Sequence, residues 1–392
     1  MADVSRLHSG VAVANPTWPF PTDDPYPAYA RAREEAAVGW SEDLGAWLVL
    51  SYAGAVEVLR SPSWSADPRR SPQLIERLAP GFRDSDLFSK MLIFSDPPAH
   101  ERLRAAVNRF FTPRRVQSIR HRVASIVKSA FAGGTGEVDA LEEIAYPIPL
   151  AVICELFDVG TDTPLLLREE TPSMVAMLDL LAPTELQAQA AAASMTAMME
   201  LVPIVADRRR SPGDDLLSVL AATLEPDEAV VTALLLLAAG HETTSALISN
   251  AIVALSESQN LVRRAAIQIE DFVEEVLRWD SPVQVTGRVA ADDLDLQGSH
   301  IADGDQVVVV LGAANRDSAV FRDPDRFDPA RERAGHLAFG HGAHFCVGAA
   351  LARLETAEVI RHLLGADWQL VCCERAASST FRRMKTLTLG IR

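Results

Sequence analysis

"FGHGAHFCVG", residues 339–348, is the stretch on which the reading turns. A single cysteine, Cys346, stands among Gly340, Gly342 and Gly348, with His344 two positions before it. Glycines permit backbone conformations that other residues avoid, and they let another group approach the main chain closely. The segment that follows, "CVGAALARLETAEVIRHLL" (346–364), is strongly helical in pattern, which puts Cys346 at a helix N-terminus. There the dipole and free N–H groups favour an anion, and so a thiolate. A free cysteine is ordinarily a small buried apolar residue, but that role does not call for so glycine-rich a loop. No second cysteine lies near enough for a zinc site, and the C-x-x-C-H arrangement of covalent haem is absent. Two roles remain open. Cys346 is a nucleophile with His344 as its base, although no third group stands by to orient that base. Or it is the single protein ligand of a metal that brings its other ligands along, as haem iron does.

The rest of the chain sets the frame. It has 392 residues, 48% of them hydrophobic, enough for a substantial core. Its net charge of −16 excludes a nucleic-acid partner for the chain as a whole. The four cysteines (Cys154, Cys346, Cys372 and Cys373) follow a reduced, intracellular pattern, and adjacent Cys372 and Cys373 rarely bridge each other. The N-terminus carries no charged start leading into an apolar stretch, so neither signal peptide nor anchor is expected, and the expected location is cytoplasmic. The apolar run "AVVTALLLLAAG", 229–240, is interrupted by His241 and Glu242. A spanning helix needs about 20 apolar residues, so a buried core helix is expected instead of a membrane span.

Periodicity predicts helices over 24–37, 98–141 (interrupted at 112–115), 142–157, 164–181, 184–209, 214–223, about 227–255, 261–279 and from Cys346 to about 364. Strand-like texture appears at 45–51, through 283–311, and near 367–373 and 386–391. The expected fold is therefore mainly α with a smaller β-rich region (about 38–51, 283–311 and 367–391), in one domain over 1–392.

The pattern Phe339-Gly340-x-Gly342-x-His344-x-Cys346-x-Gly348 resembles the haem-ligand loop of the cytochromes P-450. Other segments follow in the family's order. "EEVLR" (274–278) supplies an E-x-x-R pair, Glu275 and Arg278; "AGHETT" (239–244) resembles the oxygen-activation stretch of the central helix. "DPPAHERLR" (96–104) resembles the segment that brings His100 and Arg104 to the haem, and "AANRDSAVFRDPDRFDPAR" (313–331) the irregular stretch before the ligand loop. The resemblance covers nearly the whole chain and is greatest to soluble bacterial members.

The resemblance implies the P-450 fold, with haem b between the long central helix and the helix after the cysteine loop, and Cys346 as axial ligand of the iron. It implies that His100, Arg104, Arg288 and His344 serve the propionates, and that Ala239, Gly240, Phe339 and Gly348 also border the haem. Thr243 would hydrogen-bond dioxygen and Glu242 would relay protons, where many members carry aspartate. Glu275 and Arg278 are three apart, so they share a helix face and can pair. Alone they would read as a surface salt bridge; in the family's context they resemble a buried structural pair.

From His100 to Arg122 there are seven arginines and one acid, Glu101. On charge patterning alone this is a solvated face. By resemblance it lies on the proximal side, where Arg102, Arg109, Arg114 and Arg115 would steer an acidic ferredoxin. No flavin or nicotinamide domain is expected, so electrons are expected from separate proteins. The implied activity is a monooxygenase that uses O2 to hydroxylate or otherwise oxidise a mid-sized, mainly apolar molecule of secondary metabolism. By family register, residues 61–95, 164–209, Ala238, Ala239, Val283 to Val285 and Ser379 to Phe381 would line the substrate pocket. Met174, Met177, Met195, Met198 and Met199 are core packing or an adaptable apolar lid. The alternatives are oxidative coupling or desaturation, a peroxide-driven peroxygenase, and a non-catalytic haem protein.

Overall fold

A computed structural model describes residues 16–78, 90–133, 136–159, 174–179, 181–264, 267–332 and 335–392. Its first elements are α1 (Tyr26–Glu35), the antiparallel pair β1 (Val38–Ser41) and β2 (Ala46–Val49), α2 (Tyr52–Arg60), β3 (Trp64–Ser65) and α3 (Pro72–Arg77). Then come α4 (Ala99–Asn108), α5 (Pro113–Ser118), α6 (Arg120–Ala130), β4 (Gly136–Asp139) and α7 (Pro147–Phe157). The helical centre consists of α8 (Thr184–Arg210), α9 (Leu216–Thr223), α10 (Pro226–Arg264) and α11 (Ile269–Trp279). The chain continues as β5 (Val285–Ala290), the hairpin β6 (Leu294–Leu296) and β7 (Ser299–Ile301), β8 (Gln306–Val310) and α12 (Leu311–Ala314). It ends with α13 (Ala349–Leu364), β9 (Trp368–Arg375) and β10 (Met384–Ile391).

The expected mainly α fold with a β-rich part is what forms. One sheet runs β1-β2-β8-β5-β3, with β2 and β8 parallel and the other neighbours antiparallel. Its central strand β8, "QVVVV", is buried at every position, as a β-branched run covered on both faces must be. A second sheet runs β4-β10-β9.

Helix α10 is the axis of the molecule. Pro226 opens it, with Asp227 and Glu228 in the first turn where the dipole favours acids. It packs against α7, α8, α9, α11 and α13. Two helices are long and apolar enough to cross a membrane, Thr184–Arg210 and Pro226–Gln259. The second has 83% of its apolar window buried inside the molecule, so its hydrophobicity serves the core.

Several boundaries differ from the sequence expectation. Helix α10 extends to Arg264, so residues 261–264 belong to it and α11 starts only at Ile269. The run to Leu141 is not helical throughout: Gly136–Asp139 is a strand because β10 is there to pair with it. The segment 52–60, left without an element by the periodicity, is a helix capped by Ser51, whose side chain accepts from Gly54 N. Of the helix expected over 164–181, residues 164–173 and 180 lie outside the described residues, and Val175–Leu178 forms a 3-10 turn.

Candidate haem and oxidation site

The cysteine loop is shaped by its glycines. Gly340 and Gly342 adopt φ +71° and +69°, the left-handed region. At Gly342 a Cβ would stand 2.4 Å from the carbonyl oxygen of Leu59, so the loop presses directly on the end of α2. Cys346 N–H donates to Phe339 O at 2.9 Å and closes the turn. Helix α13 begins at Ala349, three residues after Cys346, so the sulfur lies just outside it and receives the N–H groups of Gly348 and Ala349. Burial nevertheless raises the thiol above its ordinary value, against those N–H groups and the guanidinium groups of Arg104 and Arg353. The helix terminus favours the thiolate as expected, and burial opposes it. A bound metal ion would shift the balance to the thiolate, since ligation releases the proton.

Cys346 borders a cavity of about 1310 Å³. Helix α10 contributes Ala239, Gly240 and Thr243, the loop Phe339, His344 and Gly348, helix α13 Leu351 and Ala352, and strand β5 Arg288. At Gly240 a Cβ would come within 2.6 Å of Ile153 Cδ1 on α7, so the two helices pack closely there.

The polar groups at and beside this cavity form no ion pair with a described residue, although Asp96 acts on His100 and Arg288. Both ring nitrogens of His100 are buried without a partner, and its ring lies 4.0 Å from that of His344. Burial and then the nearby Arg288, His100 and Arg104 push the His344 imidazole down to about 3, so these four groups crowd one another. Burial drives Arg288 down to about 10. Donors this desolvated and mutually repelling call for carboxylates. Haem brings two propionates, and the apolar walls and a single cysteine sulfur suit the remainder of the group. No cluster of three or more His, Cys, Asp or Glu able to hold a metal ion occurs among the described residues, in keeping with a metal that arrives with its own ring of ligands.

On α10, Thr243 Oγ1 donates to Ala239 O at 2.6 Å, the back-bond open to a helical threonine. Its neighbour Glu242 is 1% exposed. Arg383 Nη1 donates to Glu242 Oε1 at 3.0 Å, while Oε2 is buried with no partner. Burial raises this carboxyl above its ordinary value, and Arg383 opposes the rise.

Sequence reasoning missed Arg383, which carries no local signal. It sits just before β10, in a segment held by a buried hub at Asp280. Asp280 accepts from Tyr26 Oη–H at 2.8 Å and Arg382 Nε–H at 2.9 Å, and pairs with Arg375. Asn250 of α10 donates Nδ2–H to Arg382 O at 3.1 Å. The hub therefore fixes residues 380–383 against the central helix. Also missed was Glu355, which lines the cavity at 3% exposure and is pushed up to about 8 by burial.

Glu275 and Arg278 form a buried pair, with Nε to Oε2 at 2.8 Å and Nη2 to Oε1 at 2.7 Å. Arg278 also donates to the carbonyls of Asn315, Pro324 and Arg326, and Glu275 accepts from Asp328 N. The pair thus pins α11 to the irregular stretch leading to the cysteine loop.

The basic stretch is less bare than its sequence reads. Arg102 pairs with Glu228, Arg120 with Glu358 and Arg122 with Glu155. Arg115 lies over the Phe110 ring and bonds Asp214 O. Arg109 and Arg114 remain exposed.

A sequence profile described as Cytochrome P450 matches residues 268–366. Cytochrome P450 107B1 of Saccharopolyspora erythraea is 40% identical over 361 residues, 87% of each chain. The 6-deoxyerythronolide B hydroxylase of the same organism is 38% identical over 363 residues, covering 87% of this chain and 88% of that protein. Among solved structures, P450BioI in complex with hexadec-9Z-enoic acid ligated Acyl Carrier Protein superposes with a TM-score of 0.88 at 30% identity. That match covers 94% of this chain and 98% of the other. The chain belongs to the cytochrome P450 family, the haem b oxidoreductases that act as monooxygenases with O2, an organic substrate and a redox partner.

Proposed function

We propose that this protein, as a single-domain cytoplasmic enzyme, hydroxylates or otherwise oxidises a mid-sized, mainly apolar molecule of secondary metabolism, with electrons from a ferredoxin and its reductase. One arrangement carries the reading: Cys346, Arg288, His344 and Thr243 line one mainly apolar cavity, with His100 against the His344 ring and Arg104 close enough to act on it. A relative that hydroxylates 6-deoxyerythronolide B and a neighbour that binds an acyl chain support a substrate of that size and polarity.

Cys346 would ligate the iron, the two histidines and two arginines would hold the propionates, and Ala239, Gly240, Phe339 and Gly348 would border the ring. With a thiolate ligand, haem supplies the reductive activation of dioxygen. The chain's own contribution is proton control. Thr243 spends its hydroxyl proton on Ala239 O, which leaves its oxygen to accept from the cavity side. Glu242 offers Oε2, the atom without a partner, to take up and release a proton, and burial eases the uptake. Arg383 holds the other oxygen still. Glu275 and Arg278 touch no reacting atom and brace the loop that presents Cys346.

Arg109 and Arg114, with Phe345 40% exposed beside Cys346, form the surface offered to an acidic electron donor. Arg102 and Arg115 are already engaged and contribute less. The test is reconstitution with a surrogate ferredoxin and reductase over a panel of macrocyclic and acyl compounds. The expected result is substrate-dependent incorporation of oxygen from labelled dioxygen, and Thr243→Ala keeps haem but diverts electrons to peroxide or water. Turnover with hydrogen peroxide alone, unchanged in Thr243→Ala, contradicts the reading.

A further inference from the structure

A second cavity of about 920 Å³ adjoins the first. The two share Ile93, Ala239, Thr243, Val283, Thr286 and Arg288, so they meet beside the Thr243 hydroxyl. Away from that junction the wall is formed by Leu178, Asp179, Leu181, Thr380 and Phe381. One carboxylate therefore stands in a mainly apolar surface, with Arg288 the other charged residue of the lining, where substrate is expected to lie.

Asp179 is firmly placed. Its Oδ1 accepts from Leu181 N at 3.0 Å and from Thr380 Oγ1 at 2.7 Å. The Ala182 N–H also hydrogen-bonds this carboxyl, which forms no ion pair with a described residue. Burial raises this carboxyl above its ordinary value, and the Thr380 hydrogen bond only partly opposes it. The nearest cation, Arg383, is committed to Glu242 at 3.0 Å. Arg383 acts on both carboxylates but forms an ion pair with Glu242 alone among the described residues. At the opposite end Arg288 belongs to the crowded group of His344, His100 and Arg104. A largely desolvated carboxylate with hydrogen bonds but no ion pair is stabilised by a cation brought into the cavity.

We propose that Asp179 anchors a cationic group of the substrate, so that the preferred substrate is an amine whose ammonium sits against this carboxylate while its apolar body extends toward Thr243. The inference rests on this cavity being the substrate chamber. A single fixed charge at one end would select among apolar molecules of equal size and set which carbon reaches the oxidising centre.

The test uses the haem-loaded protein and two probes, a quaternary alkylammonium and its neutral isostere in which carbon replaces nitrogen. A quaternary nitrogen has no lone pair and cannot ligate iron. Affinities are read by the Soret change and by calorimetry. The ammonium binds tighter than the neutral isostere by on the order of tenfold, the scale of one partly desolvated ion pair. Asp179→Asn preserves the acceptor toward Thr380 and Leu181; it removes that preference and leaves neutral-probe affinity unchanged, which also establishes that the variant is folded. Equal affinities in the unaltered protein, or a preference that survives Asp179→Asn, overturn the anchor. Failure of both probes to bind overturns the chamber reading and the anchor with it.

Discussion

Arg383 reaches Glu242 across 141 residues of sequence, its Nη1 donating to Oε1 at 3.0 Å. The contact joins the segment before the last strand to the polar notch in the central helix. Removing the cation leaves a carboxylate that is 1% exposed without a charged partner. Breaking a fully buried pair costs about 3–5 kcal/mol. Arg383 is one-third exposed, so we expect about 1–3 kcal/mol for Arg383→Ala, most of it relieved when Glu242→Gln is added. Chemical denaturation of the two single variants and the double variant checks this; additive losses contradict it.

Arg278→Lys tests the brace. Lysine cannot reproduce the planar fan that meets Glu275 and three backbone carbonyls at once. The expected loss is about 3–5 kcal/mol, with haem content falling in parallel. Denaturation and the haem-to-protein absorbance ratio measure both; full haem retention at unchanged stability contradicts it.

Gly342→Ala tests the loop. Its φ of +69° and the 2.4 Å approach of a Cβ to Leu59 O leave no room for a side chain. We expect more than about 1 kcal/mol of destabilisation and weakened haem retention, because the loop must lift off α2. A haem-release assay into excess apomyoglobin reads this directly.

Glu355 gives stability a pH dependence. Its carboxyl is raised from 4.5 to about 8 by burial, so the folded state keeps a proton that the unfolded chain releases. This contribution is fully present below pH 4.5 and is lost as pH rises through about 8. Glu355→Gln removes the titration. Urea midpoints of the unaltered protein should fall between acid-neutral and alkaline buffer, and those of the variant should fall less.

What was legible in the sequence was local. The cysteine loop, the polar notch at 241–244 and the Glu275–Arg278 pair each need particular residue types a few positions apart, and the structure gathers the first two at one cavity. Glu355 was missed although a local signal was there: Leu351, Glu355 and Val359 recur at helical spacing on the buried face of α13. The contacts that escaped are long-range. Asp179 and Thr380 are 201 residues apart, and nothing in "MLDLLAP" announces the pairing. The basic stretch misled for the same reason: Glu155, Glu228 and Glu358, which neutralise three of its arginines, come from distant helices. Strand β4 looked helical because its edge partner, β10, arrives only at the C-terminus.

The most direct test of the account is the Soret band of the reduced, carbon monoxide-bound protein, with and without Cys346. The unaltered protein should show the long-wavelength band of thiolate ligation, and Cys346→Ala should bind haem weakly and never show it. A haem-loaded, folded protein whose band stays at the position of nitrogen ligation, or a Cys346→Ala variant that keeps the shifted band, would contradict the assignment of Cys346 as the iron ligand.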